Sequence, residues 1–136
     1  MSSEFEPGNE LEQALVAARS GERTVVSFMD KLLESQIFVL VNKDLGPSGR
    51  WDESVIPMAL SNQDGESVLA VFTAPERATP WAKREPLFGF GVLVNFTWLL
   101  KNIPAGVGLV VNPGHRVGLE MPAAGVKDLL ARTRRH

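Results

Sequence analysis

Two histidines, sixteen carboxylates and no cysteine are the side chains with which this 136-residue chain could carry out chemistry. Without a thiol there is no disulfide, no zinc–thiolate or iron–sulfur site and no cysteine nucleophile. A Ser–His–acid constellation needs a histidine held beside its partners. His136 is the last residue, where chain ends fray, and His115 follows Pro113-Gly114 in a turn signal, where a solvated imidazole is the plain reading. No His-x-x-x-His spacing and no carboxylate cluster surrounds His115, so no metal is expected. Paired carboxylates could act as acid and base. The acidic residues, such as Glu10 and Glu12 or Asp52 and Glu53, fall in helix first turns and loops, where the helix dipole already accounts for them. Gly89-Phe90-Gly91 and Gly106-Val107-Gly108 stop short of a dinucleotide fingerprint, and no P-loop Lys-Ser/Thr follows either. The expectation is a protein that is not an enzyme and holds no cofactor.

The polar stretch TAPERATPWAKREPLF, residues 73–88, offers a different kind of site. Trp81 lies among Glu76, Arg77, Lys83, Arg84 and Glu85. A tryptophan flanked by arginine is the composition of an interface hot spot, which makes Arg77, Trp81, Glu76 and Arg84 the protein-binding candidates. The competing reading folds Trp81 back over the sheet edge as a lid on the core. Trp51, after the Gly46-Pro47-Ser48-Gly49 loop, fits either role, whereas Trp98 beside Leu99 and Leu100 reads as core. Arg132, Arg134 and Arg135 form the one basic run, and a helix end favours cations without any nucleic acid.

Composition sets the frame for these residues. Fourteen basic against sixteen acidic side chains give a net charge of −2 and a pI near 5.7, which argues against a nucleic-acid partner. Apolar residues make up 44% and mean hydropathy is near zero, ordinary for a soluble globular chain. The start, MSSEFEPGNELEQ, is acidic rather than basic, and no apolar run approaches the ~20 residues of a bilayer span. A cytoplasmic protein without a membrane partner is expected.

The elements that must position the candidates follow from spacing. Asn9 caps a first helix, with Glu12 completing a capping box and Leu11, Leu15 and Ala18 forming one stripe until Ser20-Gly21. A second helix over residues 24–35 places Val25, Phe28, Met29, Leu32 and Leu33 on one face. Residues 37–41 read as a strand buried on both faces. Strands at 55–61 and 67–73 flank the Asn62-Gln63-Asp64-Gly65 hairpin, with Pro57 marking an edge or bulge. Residues 74–86 carry three prolines and predict at most a short helix. A strand at 91–94, a helix from Asn95 to Lys101, and a strand at 107–111 follow. Asn112-Pro113-Gly114-His115 suits a type II turn, leading to a strand at 117–121 and a last helix after Pro122. The fold class is α/β (α+β): a single domain over residues 9–134 after a flexible 1–8. It has a mostly antiparallel mixed sheet of five or six strands, an N-terminal helical hairpin and a C-terminal helix.

In this order the segments resemble the N-terminal domain of the SseB family, the enhanced serine sensitivity proteins. The resemblance is carried by Asn9, Leu11, Glu12, Ala14, Leu15, Ala18 and Gly21, then by Phe28, Leu32 and Leu33. The passage Val71-Phe72-Thr73-Ala74-Pro75-Glu76-Arg77, with Trp81 after it, is its most characteristic piece. Gly108-Leu109-Val110-Val111-Asn112-Pro113-Gly114 and the Leu129-Leu130 helix agree with it. The resemblance implies a bacterial α/β module without agreed catalytic residues, with a link to serine sensitivity or to secretion and effector systems. Two functions follow. One is a protein-interaction or regulatory module with an unidentified protein partner, in which an edge strand allows a homodimer. The alternative is an amino-acid sensor with a pocket near the two G-x-G segments, Phe88 and Phe90.

Overall fold

The computed structural model describes residues 8–44, 54–104, 106–115 and 117–133. Trp51, Asp52, Glu53, the Gly/Pro/Ser loop, Arg134, Arg135 and His136 lie outside the described residues, as do residues 1–7 of the expected flexible N-terminus.

Helix α1, Glu10–Ser20, starts at Asn9, whose Oδ1 accepts the Glu12 amide at 2.8 Å, and ends at Gly21 with φ of 86°. Helix α2, Val25–Leu33, is capped by the Thr24 hydroxyl, which accepts the Ser27 amide at 3.0 Å. Strand β1, Gln36–Val41, then enters the centre of the molecule. The hairpin of β2, Ala59–Ser61, and β3, Ser67–Val71, turns at Gly65, whose φ of 79° an L side chain rarely adopts. Strand β4 is Phe90–Asn95, helix α4 is Phe96–Asn102, strands β5 and β6 are Gly108–Val111 and Leu119–Met121, and helix α5 is Ala123–Thr133.

The fold is mixed α+β, as the pattern predicts, with a correction to the sheet. Six strands are present among the described residues, divided into β1-β4 and β2-β3-β5-β6. Three pairings are antiparallel, and β3 with β5 is parallel. The division falls where the sequence places a proline. The expected strand over 55–61 shortens to β2, because Pro57 has no amide to donate and meets Val41 only as an isolated bridge. A second bridge, Phe38 to Phe72, keeps β1 alongside the end of β3.

Strand β1 divides two cores by the alternation of its side chains. Ile37, Val39 and Val41 join Leu11, Leu15, Phe28, Leu32, Phe96, Leu100 and Leu129 in the larger one. Phe38 and Leu40 face the smaller one, with Met58, Ala70, Phe72 and Ala78. Burying each large apolar side chain contributes about 1.5–3 kcal/mol, so both layers matter to stability.

The smaller core is covered by helix α3, Pro75–Arg84, ten residues where at most a short helix was expected. The prolines misled by position. Pro75 occupies the helix start, where its missing amide costs nothing. Pro80 is inside, but the carbonyl it leaves without a helical partner belongs to exposed Glu76. Ala78, Trp81 and Ala82, at i, i+3 and i+4, are the inward face. Trp98 also departs from expectation. Phe96, Leu99 and Leu100 take the inward positions of α4, and Trp98 is left 37% exposed.

Candidate functional site

Glu12 looks from the sequence like a helix-capping carboxylate, yet it has no accessible surface. Its backbone amide completes the Asn9 cap, and its side chain turns inward rather than back to Asn9. The Gly8 amide donates to Oε1 at 2.8 Å, one residue before the position a capping box would use. From α3, Arg77 donates Nε–H to Oε2 at 2.8 Å and Nη2–H to Oε1 at 2.9 Å, a two-pronged clasp. The Thr73 hydroxyl, at the end of β3, donates to Oε2 at 2.5 Å. Four donors therefore surround one carboxylate. Burial pushes its pKa up, but bonds from Arg77, Thr73 and Gly8 and the nearby guanidinium outweigh that and bring it down to about 2. The same carboxylate raises the Arg77 pKa above its ordinary value.

The network extends to the turn after β5. Asn112 is buried at φ 53°, in the left-handed region that asparagine tolerates better than most residues. Its Oδ1 accepts the Thr73 amide at 3.0 Å, and its Nδ2 donates to the Thr73 hydroxyl at 2.9 Å. Asn9 Nδ2 donates to the Thr73 carbonyl at 3.0 Å. The expected turn closes through the His115 amide, donated to the Asn112 carbonyl at 3.1 Å, with Gly114 at φ 80°. His115 is half-buried rather than solvated. Its Nε2 lies 2.6 Å from the Arg77 carbonyl, which can only accept, so Nε2 carries the proton.

The sequence candidates separate around this network. Arg77 is held by Glu12, with 17% of its side chain exposed. Trp81 is half-buried against the smaller core, donates its indole N–H to the Pro113 carbonyl at 2.6 Å and lies against Gly114. That placement is the lid of the second reading. Arg84 stacks over the Trp81 ring, 4.9 Å from its centroid, and Arg84 and Glu76 are both exposed. Helix α3 thus joins one held arginine, one anchored tryptophan and a charged outer face.

Sequence reading missed Glu12, Thr73 and Asn112 as members of one site. The available signal was the short set of polar residues within an otherwise apolar resemblance: Asn9, Glu12, Thr73, Arg77 and Asn112 all belong to it, and all meet here.

As chemistry, a carboxylate with four donors and no surface is an anchor rather than a base. Among the described residues, no three His, Asp or Glu side chains are grouped to hold a metal. Elsewhere, a groove of about 620 Å³ runs between β2 and α4, lined by Val55, Pro57, Leu69, Trp98, Ile103 and Val107 among others. It touches the second G-x-G segment at Val107 and does not include Phe88 or Phe90. No described helix is long and apolar enough to cross a membrane.

No curated protein and no solved structure matches this chain. The family model described as the SseB protein N-terminal domain matches residues 11–128, nearly the whole of the chain and every member of the polar network except Asn9 and Gly8. The chain belongs to the SseB family, through its N-terminal domain.

Proposed function

We propose that this SseB domain is a non-enzymatic, cytoplasmic protein-interaction module of bacterial origin, and that the outer face of α3 is its contact surface. The observation that carries the proposal is the pairing of Arg84 with Trp81, a ring already pinned by its bond to Pro113. Arginine and tryptophan are the residue types that dominate binding energy at interfaces, and a side chain fixed beforehand loses less freedom on binding. In this reading Arg77 belongs to the scaffold, because its guanidinium is committed to Glu12. Arg84 and Glu76 supply the contact on the outer face, and Trp81, whose inward side packs on the smaller core, holds Arg84 in place. The link to serine sensitivity or to an effector system rests on the family resemblance.

An amino-acid sensor receives less support. Such a ligand brings one ammonium and one carboxylate, and none of the groove's described lining residues carries a charge to pair with either. Affinity capture from a bacterial lysate separates the readings. Partners held by the wild type and lost with Arg84→Glu, at unchanged melting temperature, are the expected result. An identical captured set from both proteins would refute the α3 surface.

A further inference from the structure

The four-stranded sheet ends at β6 and the two-stranded sheet at β4, and these two outer edges are guarded unequally. At one end β6 is three residues long, and its Glu120 accepts from Asn62 at 3.1 Å. Shortness and charge are the usual protections of a sheet edge against further pairing. At the other end β4 is six residues long, and its sequence, FGVLVN, contains no charge and no proline. Its one strand partner among the described residues is β1. Leu93 is 51% exposed and Phe90 45%, and Leu87, three residues before the strand, is 78% exposed.

The hydrogen-bond pattern fixes which groups of β4 face outward. The Phe96 amide donates to the Ser35 carbonyl at 3.0 Å, just beyond the register pair Gln36 to Asn95. In an antiparallel ladder bonded pairs alternate, so residues 90, 92 and 94 bond β1. The other side of β1 agrees: the Phe38 amide donates to Phe72, and the Leu40 carbonyl accepts from Met58, both away from β4. The amides and carbonyls of Gly91 and Leu93 and the amide of Asn95 therefore point away from the sheet, while the Asn95 carbonyl, at the N-cap of α4, accepts the first helical bond.

We propose that two copies of this chain associate by pairing their β4 strands antiparallel about Leu93, joining the two-stranded sheet of each copy into one sheet of four strands. The outward groups specify that register. Leu93 meets the Leu93 of the other copy as a bonded pair, and Gly91 meets Asn95 on either side. The Leu93 pair gives two main-chain hydrogen bonds and each Asn95 amide gives one more to a Gly91 carbonyl, four in all; no like charges oppose one another, and each asparagine side chain faces a glycine. A two-fold axis through Leu93 makes the contact self-complementary, as a closed dimer requires. The apolar side chains now half in water gain a cover of their own kind.

Sedimentation equilibrium of the full chain, from about 1 µM to about 1 mM where weak pairing populates, tests this directly. The expected result is an average mass rising from 14.9 kDa toward twice that value. Leu93→Lys places two ammonium groups opposite each other and is expected to weaken association at least about tenfold. On the wild type alone, amide exchange is expected to slow with concentration at Leu93 and Asn95 and to stay constant at Val92 and Val94. A mass fixed at 14.9 kDa over the whole range overturns the proposal and leaves the edge to a strand from another protein. A dimer that Leu93→Lys leaves intact, or one whose outward amides exchange as fast as in the monomer, also overturns it.

Discussion

Replacing Glu12 with Gln tests whether the buried clasp is a charge effect or merely good packing. The amide has nearly the same shape, but it cannot accept from Arg77 at both oxygens, and it leaves the guanidinium without its counter-charge. Removing one partner of a buried pair costs about 3–5 kcal/mol, and the residual exposure of Arg77 places this case near the lower figure. The pH dependence gives an independent value. Unfolded, Glu12 takes up its proton near 4.5, and folded only near 2, so the unfolded chain binds more protons between them. Its contribution is complete above the unfolded value and disappears as pH falls toward the folded one. The full gap corresponds to about 3 kcal/mol, of which about 2 kcal/mol is gone by pH 3. Urea denaturation of wild type and Glu12→Gln at pH 7, 5, 4 and 3 reads both quantities. The wild type is expected to lead by about 3 kcal/mol at pH 7 and by about 1 kcal/mol at pH 3. Other carboxylates titrate alike in both proteins and cancel in the difference. A lead that stays constant with pH would show that the carboxylate's charge is not what holds the site.

The remaining predictions concern the network's reach and the strand that supports it. Asn112→Ala removes two bonds to Thr73 and puts alanine at φ 53°, and is expected to cost about 2–4 kcal/mol in the same denaturation assay. Trp81→Phe keeps the ring face for Arg84 but loses the bond to Pro113, and should lower stability by about 1 kcal/mol. Gly91→Ala places a Cβ 1.9 Å from the Phe38 ring and is expected to cost about 1–3 kcal/mol, with the ring displaced in a crystal structure of the variant.

Periodicity makes the apolar architecture legible in the sequence. The stripe of Leu11 and Leu15, the paired faces of β1 and the turn at Asn112 all stand where local rules put them. Local rules treat proline as a stop, and so they understated α3, where one proline opens the helix and the other spares an exposed carbonyl. They also treated Trp98 by its neighbours in sequence, although three other residues of a two-turn helix already filled its inward face. The polar network was beyond their reach for a different reason. Glu12 and Thr73 are 61 residues apart and Glu12 and Arg77 65, and no local signal says that a first-turn glutamate will be buried by partners so distant.

Those separations also order events in time. Each bond from Glu12 to Thr73 or Arg77 closes a loop of more than sixty residues, whose entropic cost falls due before the bond can form. The knot of side chains is thus expected to form late, after helices and hairpins have drawn together. Its loss should shorten the lifetime of the finished protein while leaving its speed of assembly almost untouched. In stopped-flow experiments that appears as a steeper rise of the unfolding rate than fall of the refolding rate. The clasp, so seen, is a latch on a door that other parts of the chain have already swung shut.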